Sequence, residues 1–334
     1  MRDFGKTGMK IKRVGFGGIP IQRISQEDTN KVIDELEKCG VNFIDTARGY
    51  TVSEEYLGNA LKGRREKFYI ATKSMSRDYE SMKRDIEISL KNLQTDYIDL
   101  YQMHNVKPAE YDTLFGEDKA YRALLEAKEQ GKIKHIGITS HGLETVEKAV
   151  ESDKFETIQF PYNIVENQAD EVFKRAYEKG VGTIVMKPLA GGAIDDGTLA
   201  MKYLLSREYI DVAIPGMDSP QQVIENTDVL QNYELTEEDN KKIAKIKSEL
   251  GTNFCRRCEY CLPCPKGINI PQNFLLEGYY NRYNLKDWAV DRYRGLAENE
   301  RASNCIECGA CQKKCPYELP IIDMLKKVVD TLEK

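Results

Sequence analysis

Over the first 250 residues, short runs of β-branched and aromatic residues alternate with longer stretches of helical period. Arg13–Phe16, Asn42–Asp45, Phe68–Thr72, Ile98–Met103, Ile136–Thr139, Thr157–Phe160, Thr183–Met186 and Val212–Ile214 read as strands. They are brief and rich in β-branched and aromatic residues, as parallel strands buried on both faces should be. Helical patterns fall between them. Ser25–Cys39 reads as a helix with Ser25 as N-cap, Asp28 three residues on and Gly40 as its stop. Tyr79–Leu93 sets Met82, Ile86, Ser89, Leu90 and Leu93 at helical spacing. Eight strand–helix units in about 250 residues are the count and size of a (β/α)8 TIM barrel. The competing doubly wound sheet wants a G-x-G-x-x-G turn after its first strand, and Phe16-Gly17-Gly18-Ile19-Pro20 does not supply one.

After Leu250 the alternation gives way to cysteine loops and tyrosine-rich segments. Two domains follow: a barrel over residues 1–250 and a second domain over 251–334. Within Gln272–Tyr283, the residues Phe274, Leu275, Tyr279, Tyr280 and Tyr283 are best explained by helical packing. The second domain should therefore be small and mainly helical.

Composition narrows the class. Of 334 residues, 41% are apolar, enough for a real core, and the net charge is only −5. A nucleic-acid binder would show a basic balance or patch, so none is expected. No apolar stretch approaches the roughly 18 residues of a membrane span. The polar opening MRDFGKTGMKIKR is no signal peptide, so a cytoplasmic protein is expected.

Cysteine usage changes the picture most. Eight of nine cysteines follow residue 250, in two tight groups. One is Cys255, Cys258, Cys261 and Cys264, followed by Pro265. The other is Cys305, Cys308, Cys311 and Cys315, followed by Pro316, which matches the ferredoxin run C-x2-C-x2-C-x3-C-P. Three thiolates at every third residue can wrap one face of an iron–sulfur cube. The fourth, before proline, usually ligates the other cluster. Two [4Fe–4S] clusters are expected. Cys255, Cys258, Cys261 and Cys315 would hold one, and Cys305, Cys308, Cys311 and Cys264 the other. The first group has two residues, not three, before its last cysteine, so Cys264 is the ligand to check. Two four-cysteine zinc sites would use paired C-x2-C units but leave the ferredoxin spacing and the prolines unexplained. Cys39 stands alone in an apolar helical pattern and reads as a small buried filler.

Barrel chemistry sits at the C-terminal ends of strands. Strand 2 ends in Asp45, within Asp45-Thr46-Ala47-Arg48-Gly49-Tyr50; strand 3 ends in Lys73 and strand 4 in His104. Singly, Asp45 is a helix cap, Lys73 a surface charge, His104 a satisfied buried ring and Tyr50 packing. Together, four titratable groups at one end of consecutive strands point to an active site.

Residues 1–250 resemble the aldo-keto reductase superfamily. The resemblance is carried by Arg2-Asp3-Phe4-Gly5-Lys6-Thr7-Gly8, Phe16-Gly17-Gly18, the Asp45–Tyr50 stretch, Ala71-Thr72-Lys73, Tyr101-Gln102-Met103-His104 and Gly137-Ile138-Thr139-Ser140. With its cysteine tail the chain resembles the branch bearing a C-terminal ferredoxin-type domain. The resemblance implies carbonyl reduction with NADH or NADPH and a catalytic tetrad of Asp45, Tyr50, Lys73 and His104. A Lys73 ammonium is expected to lower the pKa of the Tyr50 phenol, the general acid/base. The resemblance also implies that Ser140 and Gln159 hold the nicotinamide carboxamide, with Asn163 nearby and Met186 against the ring. It implies that Ile214–Pro220 is the dinucleotide-phosphate loop, with Gly216 and Gln222 at its phosphate positions and Glu225 and Asn226 at the adenine. NADPH-specific members carry basic side chains where this chain has Gly216 and Gln222, so either NADH is preferred or the nucleotide binds weakly.

Two functions stay open on the sequence. One is an iron–sulfur oxidoreductase acting on a small carbonyl or alcohol, with a one-electron redox partner for its clusters. The other is an electron-transfer or redox-sensing module that keeps the barrel as scaffold.

Overall fold

The chain opens with a two-strand antiparallel hairpin, β1 (Arg2–Asp3) and β2 (Lys10–Ile11). Its Phe4, Met9 and Ile11 are buried against Phe43, Leu100, Ile184 and Val212. Phe4 meets Phe43 edge to face at 5.4 Å. Phe43 and Gly182 are the first residues of their strands, so the hairpin plugs the N-terminal end of the barrel. This leaves the opposite end for chemistry. The computed structural model describes residues 1–250, 254–255, 261–282, 286–315 and 318–334.

Eight parallel strands follow: β3 (Phe16–Gly17), β4 (Phe43–Asp45), β5 (Tyr69–Ser74), β6 (Ile98–Met103), β7 (Ile133–Thr139), β8 (Thr157–Pro161), β9 (Gly182–Met186) and β10 (Val212–Ala213). Each pairs with its sequence neighbour. The sheet curls until its first and last strands meet through the parallel bridges Val14–Ala213 and Gly17–Gly216. Gly15 and Gly17 donate across that seam to the carbonyls of Ala213 and Pro215, both at 2.9 Å. The expected eight-strand barrel is thus present. The first and last strands are shorter than expected because isolated bridges, not a continuous ladder, make the closure. The hairpin was not anticipated, since two-residue strands leave no periodic signal.

Helices α1 (Gln26–Lys38), α2 (Ser53–Ala60), α3 (Tyr79–Leu93), α4 (Ala120–Glu129), α5 (Leu143–Glu151), α6 (Asp170–Lys179), α7 (Gly197–Leu205), α8 (Pro220–Asp228) and α9 (Glu237–Leu250) come between and after the strands. In α1 the Ser25 hydroxyl accepts from the Asp28 amide at 3.0 Å and donates to the Asp28 carboxylate at 2.8 Å. That closes the expected cap with aspartate in the place of the usual glutamate. Gly40, just past the helix, has φ +65°, a conformation glycine takes without strain. α3 buries Met82, Ile86, Ser89 and Leu93, the stripe its sequence predicts, and Asp78 caps it through the Ser81 amide at 2.8 Å.

The chain divides into two compact units, Met1–Ala190 with Asp195–Lys241 and Gly191–Ile194 with Lys242–Lys334. In the second lie α10 (Ile270–Arg282), α11 (Lys286–Arg294), α12 (Ala310–Lys314) and α13 (Ile321–Leu332). Ile268, Ile270, Phe274, Leu276, Ala289, Tyr293, Leu325 and Val328 form its core, against which the cysteines pack. The expected helical character is present; Tyr283 and Cys258 lie outside the described residues. No described helix is long and apolar enough to cross a membrane.

Candidate active site

Lys73 points into the barrel from β5 and is 1% exposed. A buried ammonium needs partners on every donor it can satisfy. Its Nζ donates to Asp45 Oδ2 at 2.5 Å and to the Thr46 carbonyl at 2.8 Å. The Tyr50 ring centre lies 5.0 Å from Nζ, close enough for ammonium and phenol to act on each other electrostatically. Tyr50 meets the His104 ring edge to face, with centres 5.9 Å apart. The structure therefore brings Asp45, Tyr50, Lys73 and His104 together at the C-terminal ends of β4, β5 and β6.

Backbone and side-chain bonds hold the loops after β4, β5 and β6 in place. The Tyr50 amide donates to the Ala47 carbonyl at 3.0 Å, and its carbonyl accepts from Ser53 at 2.8 Å, at the start of α2. Arg48 donates to Glu54 Oε2 at 2.9 Å. Glu54 is buried, and its other oxygen accepts from Thr72 on β5 and Ser89 on α3, both at 2.7 Å. Arg77 staples the loops after β5 and β6 by donating to the carbonyls of Met75 at 3.0 Å and His104 at 2.9 Å. Asp45 gains a further donor from within the barrel, Gln102 at 3.3 Å. Glu54, Arg77 and Gln102 were not identified from sequence. Each has partners on another element, which no local pattern in the sequence announces.

The electrostatics differ from expectation in one respect. Burial pushes the Tyr50 phenol up, and the pull of Lys73 in the other direction does not cancel it. The expected net lowering is corrected: desolvation of a phenolate outweighs one ammonium that Asp45 already shares. Burial also pushes Asp45 upward against the pull of Lys73. Burial opposes the charge on Lys73, but Asp45 and Tyr50 outweigh it, so its pKa is raised and it stays protonated. Burial, then Lys73 and Arg77, depress the His104 imidazole to about 3. At neutral pH the site holds a neutral phenol and a neutral imidazole beside an ion pair.

The expected cofactor contacts are placed as follows. Gln159 on β8 is 1% exposed, and its Oε1 is buried without a partner among the described residues. A free buried acceptor of this kind fits the amide N–H of a nicotinamide carboxamide. The Ser140 hydroxyl donates to the Val106 carbonyl at 2.6 Å and accepts from the Gly142 amide at 2.9 Å. Asn163 donates to Glu166 and to the Lys187 carbonyl, and its oxygen accepts from Val165 and Glu166. Met186 closes β9 and is partly buried. Gly216 is exposed and bridges to Gly17. Gln222 accepts from the Asp218 amide at 2.8 Å; Glu225 accepts from Gln221 at 2.9 Å; Asn226 donates to the Gln222 carbonyl at 2.7 Å. The loop does have a cation beside it, since Arg23 lies 3.6 Å from Asp218. Sequence reading missed Arg23 because it is remote from the loop in the chain.

In the second unit, Cys264, Cys305, Cys308 and Cys311 line one cavity, with Ile268, Ile270 and Leu325 behind them. Burial pushes the Cys311 thiol up, and the neighbouring Cys305 and Cys264 add to this. Four thiols around one cavity are the donor set that a [4Fe–4S] cluster takes. Cys255 and Cys315 are half-buried and Cys261 buried on the same core. Cys258 lies outside the described residues.

Residues 13–198 match the model of the aldo/keto reductase family, and residues 254–320 that of the 4Fe-4S dicluster domain. Among curated relatives, an L-galactose dehydrogenase of Arabidopsis thaliana is 26% identical, covering 75% of this chain and 94% of its own. A methylglyoxal reductase of Escherichia coli is 29% identical, covering 69% and 88%. Among solved structures, the holo form of an aldo-keto reductase from Bacillus halodurans superposes with a TM-score of 0.65. It is 26% identical, covering 73% of this chain and 95% of its own. With its eight-strand parallel barrel and its cysteine-walled second unit, the chain belongs to the aldo/keto reductase family and carries a 4Fe-4S dicluster domain.

Proposed function

We propose that this oxidoreductase interconverts a small carbonyl and its alcohol, with NADH or NADPH as the nicotinamide cofactor and Tyr50 as general acid/base. The observation that carries the reading is the buried Lys73–Asp45 pair beside the Tyr50 ring. The bound nicotinamide would supply or accept hydride. The chain's own residues handle the proton. Tyr50 keeps its proton at neutral pH because burial raises its pKa, and it gives that proton to the developing alkoxide. Lys73 stays charged and stabilises the phenolate left behind. His104, neutral, orients the carbonyl oxygen by a hydrogen bond. The free Gln159 oxygen would hold the carboxamide, beside Ser140 and Asn163, with Met186 against the ring. Gly216, Gln222, Glu225 and Asn226 would follow the rest of the dinucleotide. The Gly216 and Gln222 positions without basic side chains favour NADH, and Arg23, the cation beside the loop, is already engaged by Asp218.

The substrate class draws on the relatives, one named for dehydrogenating L-galactose and another for reducing methylglyoxal. Cys264, Cys305, Cys308 and Cys311 would hold one [4Fe–4S] cluster, and Cys255, Cys258, Cys261 and Cys315 the other. Such clusters ordinarily pass single electrons, which calls for a one-electron partner. The site and its thiols suit a reducing, cytoplasmic setting.

The test is anaerobic purification followed by steady-state reduction of simple carbonyls with NADH and NADPH. Tyr50→Phe should lower turnover by roughly 10²–10⁴ while iron and sulfide contents stay as in the wild type. Unchanged turnover would remove Tyr50 from the mechanism. No turnover and no nucleotide binding by the wild type would favour the electron-transfer or redox-sensing module instead.

A further inference from the structure

We propose that Gln102 is a positioning residue that locks the Asp45 carboxylate so that Lys73 meets it in one orientation. The inference rests on the tetrad reading above. Gln102 lies on β6, directly across from Lys73 on β5 in the parallel register. It is fully buried. Its Nε2 donates to Asp45 Oδ1 at 3.3 Å, while Lys73 takes Oδ2 at 2.5 Å. Each carboxylate oxygen thus has its own donor, and a turn of the carboxylate would loosen both. A primary amide inside a barrel is costly unless it is bonded. The next strand makes room for this one. Gly137 stands across from Gln102 on β7, and a Cβ there would come within 3.1 Å of Gln102 Cγ. Two strands are thereby shaped around one amide whose donor serves the catalytic ion pair.

Gln102→Met keeps the volume and removes the donor. The groups that face Asp45 are Lys73 on β5 and Tyr50 before α2; His104 and Arg77 lie beyond Lys73. Lys73 stays charged, and Tyr50 and His104 stay neutral, from about pH 5 to pH 8. Asp45 is the group left to respond. Burial raises its folded pKa above the unfolded value. A carboxylate raised in this way costs stability as pH climbs from the unfolded pKa toward the folded one. Loss of the Gln102 donor raises it further. The melting-temperature gap between wild type and Gln102→Met should therefore widen as pH rises through the folded pKa of Asp45, which lies above the ordinary carboxylate value. Gln102→Glu should widen it more steeply, because its carboxyl donates when neutral and repels Asp45 when ionised. It also gives a low-pH measurement if Gln102→Met does not fold. In turnover, Gln102→Met should lose about tenfold in kcat, the size of one hydrogen bond to a charge, with NADH affinity by fluorescence titration within about twofold. A gap independent of pH in both variants would make Gln102 mere packing and overturn the proposal. So would a loss of NADH affinity equal to the loss in kcat. A widening gap in a protein with no carbonyl reduction would uphold the positioning role and overturn the functional reading.

Discussion

Tyr50 and His104 share one environment that acts on them in opposite directions. Burial raises the phenol and lowers the imidazole, and each change keeps the group neutral. The sequence puts His104 just past β6 and Tyr50 nearby in the loop after β4, but it misjudges the phenol, because motif reading sees the nearby lysine and not the burial. Gln102 was equally hidden: it is one of several polar positions in the buried strand Ile98–Met103, and only the register reveals Lys73 and Gly137 beside it. The lowered His104 pKa has a measurable consequence. Its folded pKa near 3 lies well below the ordinary value of 6.5. The unfolded chain therefore binds that proton first, and stability falls as pH drops below about 6.5. His104→Leu removes this part of the acid sensitivity. The melting-temperature advantage of wild type over His104→Leu should shrink between pH 7 and pH 5, measured by thermal melts. The ring is partly exposed, so solvent screens some of the effect. A gap that does not change with pH would mean that His104 titrates in the folded protein as it does in the unfolded chain.

The elements show which signals are local. Ser25 capping α1 and the buried stripe of α3 are set by neighbours within one helix, and both follow from the sequence. The seam between β3 and β10 depends on residues nearly 200 positions apart, so its brevity has no local signature. The same is true of Gly137. Glycine normally weakens a strand, yet β7 needs it, because a Cβ would sit 2.2 Å from Thr157 Oγ1 on β8 as well as close to Gln102. Gly137→Ala should destabilise the barrel by about 1–3 kcal/mol through overpacking. The Thr157 hydroxyl is buried without a partner among the described residues, so trimming it leaves no donor stranded. Thr157→Ala in the Gly137→Ala background should recover most of the loss in a double-mutant cycle of denaturant melts. Equal losses with and without Thr157→Ala would locate the clash at Gln102 or Leu100 instead.

At the scale of the whole molecule, the second unit joins two cysteine groups about 40 residues apart into one small core. The spacing of the cysteines announced clusters, but it could not show whether Cys264, one residue early, joins the distant group. The cavity shared by Cys264, Cys305, Cys308 and Cys311 supports that crossing. It makes the two clusters separable by mutation. If Cys264 and Cys308 serve the same cluster, Cys264→Ser and Cys308→Ser should each lower iron from about eight atoms per chain to about four. The double variant should then hold no less iron than either single. Cys255 belongs to the other set in this assignment, so Cys264→Ser with Cys255→Ser should lose nearly all the iron. Iron and sulfide analysis of anaerobically purified protein, with EPR of the reduced samples, reads all four variants. Additive loss from Cys264→Ser and Cys308→Ser, with none from joining Cys264→Ser to Cys255→Ser, would return each cluster to its own local cysteine group. Because metal binding and folding are coupled in small sites, the single variants should also melt at lower temperature. The barrel's NADH titration should be unchanged in them if its nucleotide site needs no cluster.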